Sequence, residues 1–195
     1  MIRLFRELGK AFFRILSDEA IFQKATDEFR CHDERCPRCG AMGKLSSHGR
    51  YSRGIVSLVR GGIDERRISP LRFKCTSCGA THALLPDILI PYSPYSLRFK
   101  LSALSAYFER DTTVAAVCER FGIAVSTLYE WKKLLLEHKN IMLGVLASRK
   151  TDALAFLRGL FESSRLSSRI CDFFRHHAVS FLQNQSMATT RSIPP

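Results

Sequence analysis

The stretch that decides the fold begins with Cys36-Pro-Arg-Cys-Gly40 and ends with Cys75-Thr-Ser-Cys-Gly79. Each half places two residues between its cysteines, so that both thiols can face one point from a tight turn. Each half also ends in glycine, which readily adopts the positive φ that such a turn usually requires. Two of these turns, brought together, form a tetrahedral cage of four sulfurs, which suits Zn²⁺. The sequence therefore predicts one structural zinc ion held by Cys36, Cys39, Cys75 and Cys78.

Two other interpretations of these cysteines stay open. Four reduced thiols can fill a small core without any metal. Cys31, five residues before Cys36, also creates a Cys-x4-Cys-x2-Cys spacing like that of plant-type iron–sulfur proteins. The matched second pair favours zinc over a cluster. His32 and His82 are expected to be solvated, because four cysteines already complete the site.

Residues 41–74, between the two turns, are predicted to form short antiparallel strands. Alternating and β-branched pieces at 44–48, 55–59 and 67–74 are separated by Gly49, Gly54 and the pair at 61–62. A sheet of this size has little core, so the metal would supply much of its folding free energy. We therefore expect a zinc ribbon over residues 31–85.

The same segment carries most of the excess positive charge. The formal net charge of the 195 residues is +12, which favours a polyanionic partner, most simply nucleic acid. Residues 35–74 hold ten arginines and lysines against two acidic residues, a net +8. Neutralising a zinc–thiolate site needs far fewer cations. Phosphate contacts are therefore predicted for five arginines of the ribbon, namely Arg50, Arg53, Arg60, Arg66 and Arg67.

Residues 113–136 have the pattern of two helices joined by a sharp turn. Thr113 is suited to open the first helix, Gly122 to make the turn and Ser126 to cap the second helix, with Ile123 and Val125 filling the turn. Leu128, Trp131 and Leu135 are predicted to face inward. Base contacts are predicted for the outward positions, which are Ser126, Thr127, Tyr129, Glu130 and Lys133.

The charge of this helix pair leaves alternatives open. Residues 111–137 hold three basic and four acidic side chains, a net −1. DNA affinity would therefore come mainly from the ribbon. An ordinary helical hairpin, or a module that contacts another protein, would show the same pattern.

Three stretches carry resemblances to known proteins. Residues 118–131, Cys-Glu-Arg-Phe-Gly-Ile-Ala-Val-Ser-Thr-Leu-Tyr-Glu-Trp, resemble the helix-turn-helix of resolvase/invertase recombinases and of many transposases. Residues 36 to about 85, with His48-Gly49-Arg50, look like the N-terminal zinc ribbon of insertion-sequence transposases. The whole order, with Leu85-Pro-Asp87 and Pro91-Tyr-Ser93, resembles an uncharacterised bacterial transposase-like family, domain of unknown function 6431. The resemblance implies DNA binding and carries no established activity.

The C-terminal region does not predict an enzyme. A DDE transposase core needs three carboxylates that converge on two Mg²⁺ ions from a mixed sheet. After Glu137 the acidic residues are Asp152, Glu162 and Asp172, and all three fall in predicted helices. His176 and His177 are adjacent, so on a helix they diverge by about 100° and cannot readily chelate one metal. We expect neither catalysis nor a small-molecule substrate.

These observations predict an α+β chain, mainly α, with a small four-cysteine zinc ribbon followed by a helical helix-turn-helix domain and C-terminal helices. The expected segments are amphipathic helices over 1–30, the ribbon over 31–85, a proline-rich connector over 86–96, the helix-turn-helix domain over 97–140, C-terminal helices over 141–185 and a disordered tail over 186–195. Ser17 and Ser96 are expected to cap helices that begin just after them. Apolar stripes in the C-terminal helices predict a core or a dimer face, so a homodimer stays open.

The sequence also predicts where the protein acts. It contains no run of about 18 apolar residues and no signal-peptide pattern. We expect a cytoplasmic, nucleoid-associated protein that binds double-stranded DNA and no membrane. The alternative is an adaptor for protein–protein interaction, or a transcriptional regulator unrelated to transposition.

Overall fold

The computed structural model describes residues 2–4, 17–162 and 166–184. Its strands are β1 (Ile2–Leu4), β2 (Leu45–Arg50), β3 (Arg53–Val59), β4 (Gly62–Ile68), β5 (Leu71–Cys75) and β6 (Thr81–Pro86). Its α-helices are α1 (Asp18–Asp27), α2 (Leu97–Glu109), α3 (Val114–Phe121), α4 (Val125–Leu143), α5 (Val145–Lys150), α6 (Ala153–Glu162) and α7 (Leu166–His177). A short 3₁₀ turn spans Cys31–Asp33.

Four strands form one sheet in the order β1-β6-β5-β2, with β1 parallel to β6 and the other pairs antiparallel. The central strand β5 alternates, because Phe73 and Cys75 are buried whereas Arg72 and Lys74 are exposed. On the buried face, the ring of Phe29, just after α1, lies 5.0 Å from the ring of Phe73. The sheet thus has one face under α1 and one face that carries charge.

The β3–β4 hairpin forms a separate two-stranded sheet that packs on the helices. The N–H of Val56 donates to Pro94 O at 2.8 Å, and the N–H of Ser96 donates to Val56 O at 3.0 Å. Val56 and Leu58 lie against the helical core. Near the hairpin turn, Ile63 Cδ1 comes within 3.3 Å of where a Cβ on Gly122 would stand. The hairpin therefore leans on the turn between α3 and α4.

The helices enclose the largest core of the described residues. Phe99, Leu104, Leu128 and Leu135 are fully buried there. Trp131 packs edge-on against Phe99, with ring centroids 6.2 Å apart. The predicted C-terminal stripes are also part of this core, contributed by Phe156, Leu157, Leu160, Ile170, Phe173 and Phe181.

The helix starts test the capping predictions. The side chains of Ser17, Ser96 and Thr113 each accept the backbone N–H three residues later, at 3.1, 3.1 and 3.2 Å. The three predicted caps are confirmed. Gly122 also makes the predicted turn, with φ +57°.

The start of α4 corrects two predictions. The helix begins at Val125 with Ala124 at the N-cap, so Ser126 is not the cap and lies inside the first turn. Val125 is 44% exposed and does not fill the turn. Ile123 is buried and donates its N–H to Cys118 O. The side chain of Ile123 alone fills the space inside the turn. The second helix therefore starts one residue before Ser126, at Val125.

The predicted fold class is wrong. The chain is α+β, but the cysteine-bearing strands are not a small zinc ribbon followed by a separate helical domain. β6 pairs with β1 from the N-terminal region, and the β3–β4 hairpin packs with the helices. The physical reason lies in residues 86–96, where Ile88, Leu89 and Ile90 are fully buried. The expected connector is therefore continuous with the cores on both sides.

The N-terminal and C-terminal predictions are tested only in part. The helix expected over the first 16 residues lies outside the described residues, except at β1, where the backbone is a strand. The tail over 186–195 also lies outside them. No described helix is long and apolar enough to cross a membrane.

Candidate metal centre and surrounding basic surface

Two turns with the same hydrogen-bond pattern present the four cysteines. In each turn, the first cysteine donates its N–H to the carbonyl five residues later, at 2.9 Å for both Cys36 and Cys75. The closing glycine, Gly40 or Gly79, donates back to the carbonyl of that cysteine, again at 2.9 Å. The two glycines have φ values of +74° and +71°, where a side chain would be strained. This is the turn geometry that the repeated Cys-x2-Cys-Gly motif predicts.

The four thiols converge as the sequence predicts. All four Sγ atoms lie within 4.8 Å of one another. The Sγ atoms of Cys36 and Cys78 are 3.7 Å apart, and those of Cys39 and Cys75 are 3.8 Å apart. A tetrahedral site with metal–sulfur bonds of about 2.3 Å has sulfur–sulfur edges of about 3.8 Å. The four cysteines therefore form a possible metal-binding site whose size fits a single ion.

The electrostatics of the cluster also suit a cation. Burial disfavours the Cys36 thiolate, but backbone N–H groups of Cys39 and Arg38 and a neighbouring imidazole lower the pKa of this thiol to about 5. The N–H of Ala80 favours the Cys78 thiolate, but desolvation and the neighbouring sulfurs raise the pKa of Cys78 to about 11. The cluster resists a second negative charge, and a divalent ion would offset that repulsion.

His82 is a member of this site that the sequence reasoning placed in solvent. It is only 6% exposed, and its Nε2 lies 3.3 Å from Cys36 Sγ. In β6 it faces the buried side, paired with Phe73 of β5. The alternation of Thr81, His82 and Ala83 could have indicated this orientation. A ring held against a ligand sulfur fixes the direction of that sulfur.

Cys31 is the remaining cysteine near the site. It lies half-buried at the edge of the same small core, outside the group of four. The plant-type iron–sulfur spacing is therefore not assembled among the described residues.

Residues 36–131 match the model of the family described as Domain of unknown function (DUF6431). The DUF6431 segment includes both cysteine turns, strands β2 to β6, helices α2 and α3 and the first part of α4. The match agrees with the family of unknown function that the sequence resembles, and the transposase-like character stays a prediction. No curated protein and no solved structure is detectably similar to this chain.

Four of the five predicted phosphate-binding arginines of the DUF6431 segment have intramolecular partners, and the contacts of Arg53 and Arg66 join distant parts of the chain. Arg53 is half-buried, and its Nη2 donates to the carbonyls of Ile90 and Ser93. Burial lowers the pKa of its guanidinium. Arg66 forms salt bridges with Glu19 at 2.5 Å and Asp64 at 2.8 Å. These contacts link β3 to residues 90–93 and β4 to α1, which the charge pattern alone did not reveal.

The other three arginines are exposed on or beside the hairpin. Arg50 Nη1 donates to Ser69 O at 3.0 Å, and Arg67 Nε donates to Ser52 Oγ at 3.0 Å. Arg60 lies in the turn between β3 and β4, in the left-handed region at φ +50°. Arg50 and Arg67 each keep further N–H groups outside these bonds. Arg60 makes no side-chain hydrogen bond to the residues that the structure describes.

The predicted base-contacting residues lie along α4 with unequal exposure. Ser126, Tyr129, Glu130 and Lys133 are exposed, whereas Thr127 is half-buried. Glu130 Oε1 accepts a hydrogen bond from Asn184 Nδ2, which ties it to the C-terminal turn. Lys132 Nζ lies over the ring of Tyr129, 5.5 Å from its centroid, and this cation–π contact helps to hold the ring in place. Four of the five residues thus share one outward stripe of the helix.

Proposed function

We propose that this chain binds double-stranded DNA in a sequence-directed way, as a transposase-like or mobile-element-associated protein without a catalytic core of its own. The observation that carries the proposal is the contact between the basic hairpin and the helix pair. Ile63 of β4 reaches the turn at Gly122, immediately before α4. The turn of the hairpin, which carries Arg60, is therefore next to the exposed start of α4.

The charge of the chain supports a phosphate partner. The formal net charge is +12, and one Zn²⁺ on four thiolates would lower it only to about +10. Arg50, Arg60 and Arg67 project from or beside the hairpin and are exposed. Arginines of this kind bind phosphates bidentately and hold a protein against a duplex without reading its sequence.

The shape of α4 supports sequence reading. An α-helix with its side chains is about 10–12 Å wide and fits a major groove of about 12 Å. Ser126, Tyr129 and Lys133 share the outward stripe near the start of α4. In our proposal this stripe contacts base edges, and the hairpin arginines contact the flanking phosphates.

For the metal centre we propose Zn²⁺. An all-sulfur tetrahedral set selects zinc or iron–sulfur chemistry among the common biological metals. Sulfur–sulfur distances of 3.7 and 3.8 Å suit one ion at the centre. The ion would hold the two turns together and leave no open position for a substrate.

A salt titration tests DNA binding. With phosphate contacts from the three exposed arginines, the logarithm of the affinity should fall with a slope of about −3 against the logarithm of the salt concentration. Fluorescence anisotropy with a labelled duplex selected from a genomic library gives this slope. A flat slope, or no duplex binding by the metal-loaded protein, would refute the proposal and favour the protein-contact alternative.

Two classes of variant separate phosphate from base contacts. Arg60→Gln should weaken all duplexes alike and reduce the slope by about 1, because one phosphate contact is lost. Arg149→Gln, an equal charge loss on α5, is the matched control and should leave the slope unchanged. Ser126→Ala and Tyr129→Phe should instead change the preference between sequences. Equal behaviour of the two classes would contradict this division of roles.

A further inference from the structure

A cleft of about 690 Å³ opens on the charged face of the four-stranded sheet. Its floor is formed by Arg72 of β5 and by Thr81, Ala83 and Leu85 of β6. Arg72 and Ala83 are paired in the sheet, so both belong to the face opposite Phe73. One wall contains Tyr51 and Arg53, and the other is the segment 91–94. A cleft of this volume is in the range of small-ligand sites.

The residues that line the cleft suit a ligand with an anionic group and a flat ring. Two arginines and two tyrosines line it, and none of its described lining residues is acidic. Arg72 is exposed, and no salt bridge or side-chain hydrogen bond engages it among the described residues. Arg72 can therefore donate to a bound phosphate. The two tyrosine rings and the two prolines of the walls offer apolar surfaces against which a nucleobase can pack.

The wall that carries Tyr92 is held in place by hydrogen bonds from Arg53. Arg53 Nη2 donates to the carbonyls of Ile90 and Ser93, on either side of the tyrosine, with the Ser93 bond at 2.6 Å. Ser93 Oγ accepts the N–H of Tyr95 at 3.3 Å. The segment is therefore rigid before any ligand arrives, which reduces the entropy lost on binding.

Tyr92 itself is unusual in this wall. Its φ is +59°, although it is not glycine, and its side chain is 53% exposed. A bulky residue in the left-handed region costs free energy and concentrates at ligand sites. The backbone accounts for this φ, because Tyr92 is the third residue of a turn that the N–H of Ser93 closes on Ile90 O at 3.2 Å. The same turn leaves about half of the residue in solvent at the edge of the cleft.

We propose that this cleft binds one unpaired nucleotide of single-stranded DNA, with the base stacked on Tyr92 and its phosphate bound by Arg72. Aromatic rings beside a cation are the usual means of binding single strands without sequence preference. The inference goes beyond duplex binding at the hairpin and α4, and it does not depend on it. The two sites use different residues and different forms of DNA.

The first test measures binding of a 5′-fluorescein-labelled pentadeoxythymidylate by anisotropy. Tyr92→Asn removes the ring while keeping a residue that tolerates the left-handed region, and should weaken binding about tenfold. Tyr92→Phe keeps the ring and should bind as the wild type does. Arg72→Gln should weaken binding and lower the salt slope by about 0.7. Arg149→Gln is the charge-matched control and should bind within about twofold of the wild type. Wild-type affinity in Tyr92→Asn would overturn the proposal.

The second test is competition and separates a nucleotide site from a phosphate site. Thymidine monophosphate should displace the labelled strand at least about tenfold better than inorganic phosphate, because stacking adds to the phosphate contact. Equal displacement by the two would overturn the assignment of the base to Tyr92. Arg60→Gln should weaken duplex binding and leave pentadeoxythymidylate binding unchanged. Duplex binding without strand binding would therefore refute the cleft alone, and the reverse result would refute the proposed function alone.

Discussion

Two regions of this molecule reach a stable fold by different means. The cysteine end consists of the two Cys-x2-Cys turns with β2, β5 and β6, and its core has six buried residues, two of which are cysteines. The helical body consists of α2–α4, α6 and α7 with the β3–β4 hairpin, and its core has 22 buried residues among those described. Apolar burial stabilises by about 25 cal/mol per Å², so the larger core gives the helical body more stabilisation from packing. The smaller core leaves the cysteine end more dependent on the metal ion that we propose.

The comparison bears on the surfaces that we propose contact DNA. The cysteine end offers charged strands, and in our proposal its four cysteines bind the ion that stabilises it. In the helical body, Leu128, Trp131 and Leu135 are buried, which fixes the orientation of α4. The hairpin joins the two, because Ile55 and Ile68 pack with Leu85 of β6 while Val56 bonds to Pro94 beside the helices.

The largest expected effect is metal removal. Chelation, or Cys75→Ser, should unfold the cysteine end, because structural zinc sites contribute about 10–16 kcal/mol to small metal-dependent folds. The helical signal in circular dichroism should largely persist, while elemental analysis should show the loss of the one Zn²⁺ per chain that we propose. Cys31→Ser is the matched control, since this thiol lies beside the same core but outside the group of four. Full metal content in Cys75→Ser would disprove the site.

Shortening a buried side chain of the helical body should lower the stability of its helices and leave the metal content unchanged. Leu135 is fully buried in α4, so Leu135→Ala should lower the free energy of unfolding by about 2–5 kcal/mol through lost contacts and a cavity. Denaturant unfolding measured by circular dichroism gives this value, and the metal content should not change. Leu136→Ala, at the next and only half-buried position, is the control and should cost much less. Metal loss in Leu135→Ala would mean that the two regions depend on one core.

Acidification should weaken the helical body through His138. Its Nδ1 accepts the N–H of Leu182 at 3.0 Å, which holds the C-terminal turn. Burial, with the charges of His177 and Lys100, lowers the pKa of His138 to about 4, against about 6.5 in an unfolded chain. The unfolded state therefore binds the proton first. The stabilisation is complete above about pH 6.5 and is lost as the pH falls towards 4, by about 3 kcal/mol.

The pH dependence has its own variant and control. His138→Asn keeps an acceptor that does not titrate, so unfolding experiments between pH 4 and 6.5 should give a flatter stability curve than the wild type. His176→Asn removes an exposed histidine of α7 and should leave the slope as it is. Because thiolate ligands also release metal in acid, the measurement is made on the helical signal. An unchanged slope in His138→Asn would contradict the role given to this residue.

The same two regions show what a sequence can and cannot predict. Local chemistry was readable, because the Cys-x2-Cys-Gly turns and the caps at Ser17, Ser96 and Thr113 depend on residues a few positions apart. The pairing of strands that are distant in the sequence could not be predicted. Nothing near β6 indicates that it pairs with β1, more than 75 residues earlier. The predicted fold class is wrong for that reason.

The site residues divide in the same way. The four cysteines could be found from spacing, since ligand geometry constrains it. The arginines were counted as equivalent charges, although Arg53 bonds to carbonyls 37 and 40 residues away and Arg66 to a carboxylate 47 residues away. His82 was assigned to solvent because its partner, Cys36, lies 46 residues earlier. Side-chain roles that depend on tertiary contacts need the structure.

The smallest expected effect tests whether the two regions unfold separately. Ser17 caps α1, and Thr113 caps α3 in the helical body. α1 packs on the cysteine end through Ala25, and on Ile55 and Ile68 of the hairpin through Ile21 and Phe22. Ser17→Ala and Thr113→Ala should each cost about 1 kcal/mol in the metal-loaded protein. After chelation, Thr113→Ala should keep its full effect on helical unfolding, while the effect of Ser17→Ala should become smaller, because α1 loses the part of its packing surface that the cysteine end provides. Ser17→Asn retains a capping oxygen and serves as the control. An effect of Ser17→Ala that survives chelation undiminished would show that α1 belongs to the helical body, through the Asp18–Arg98 salt bridge, and would move the boundary between the two regions.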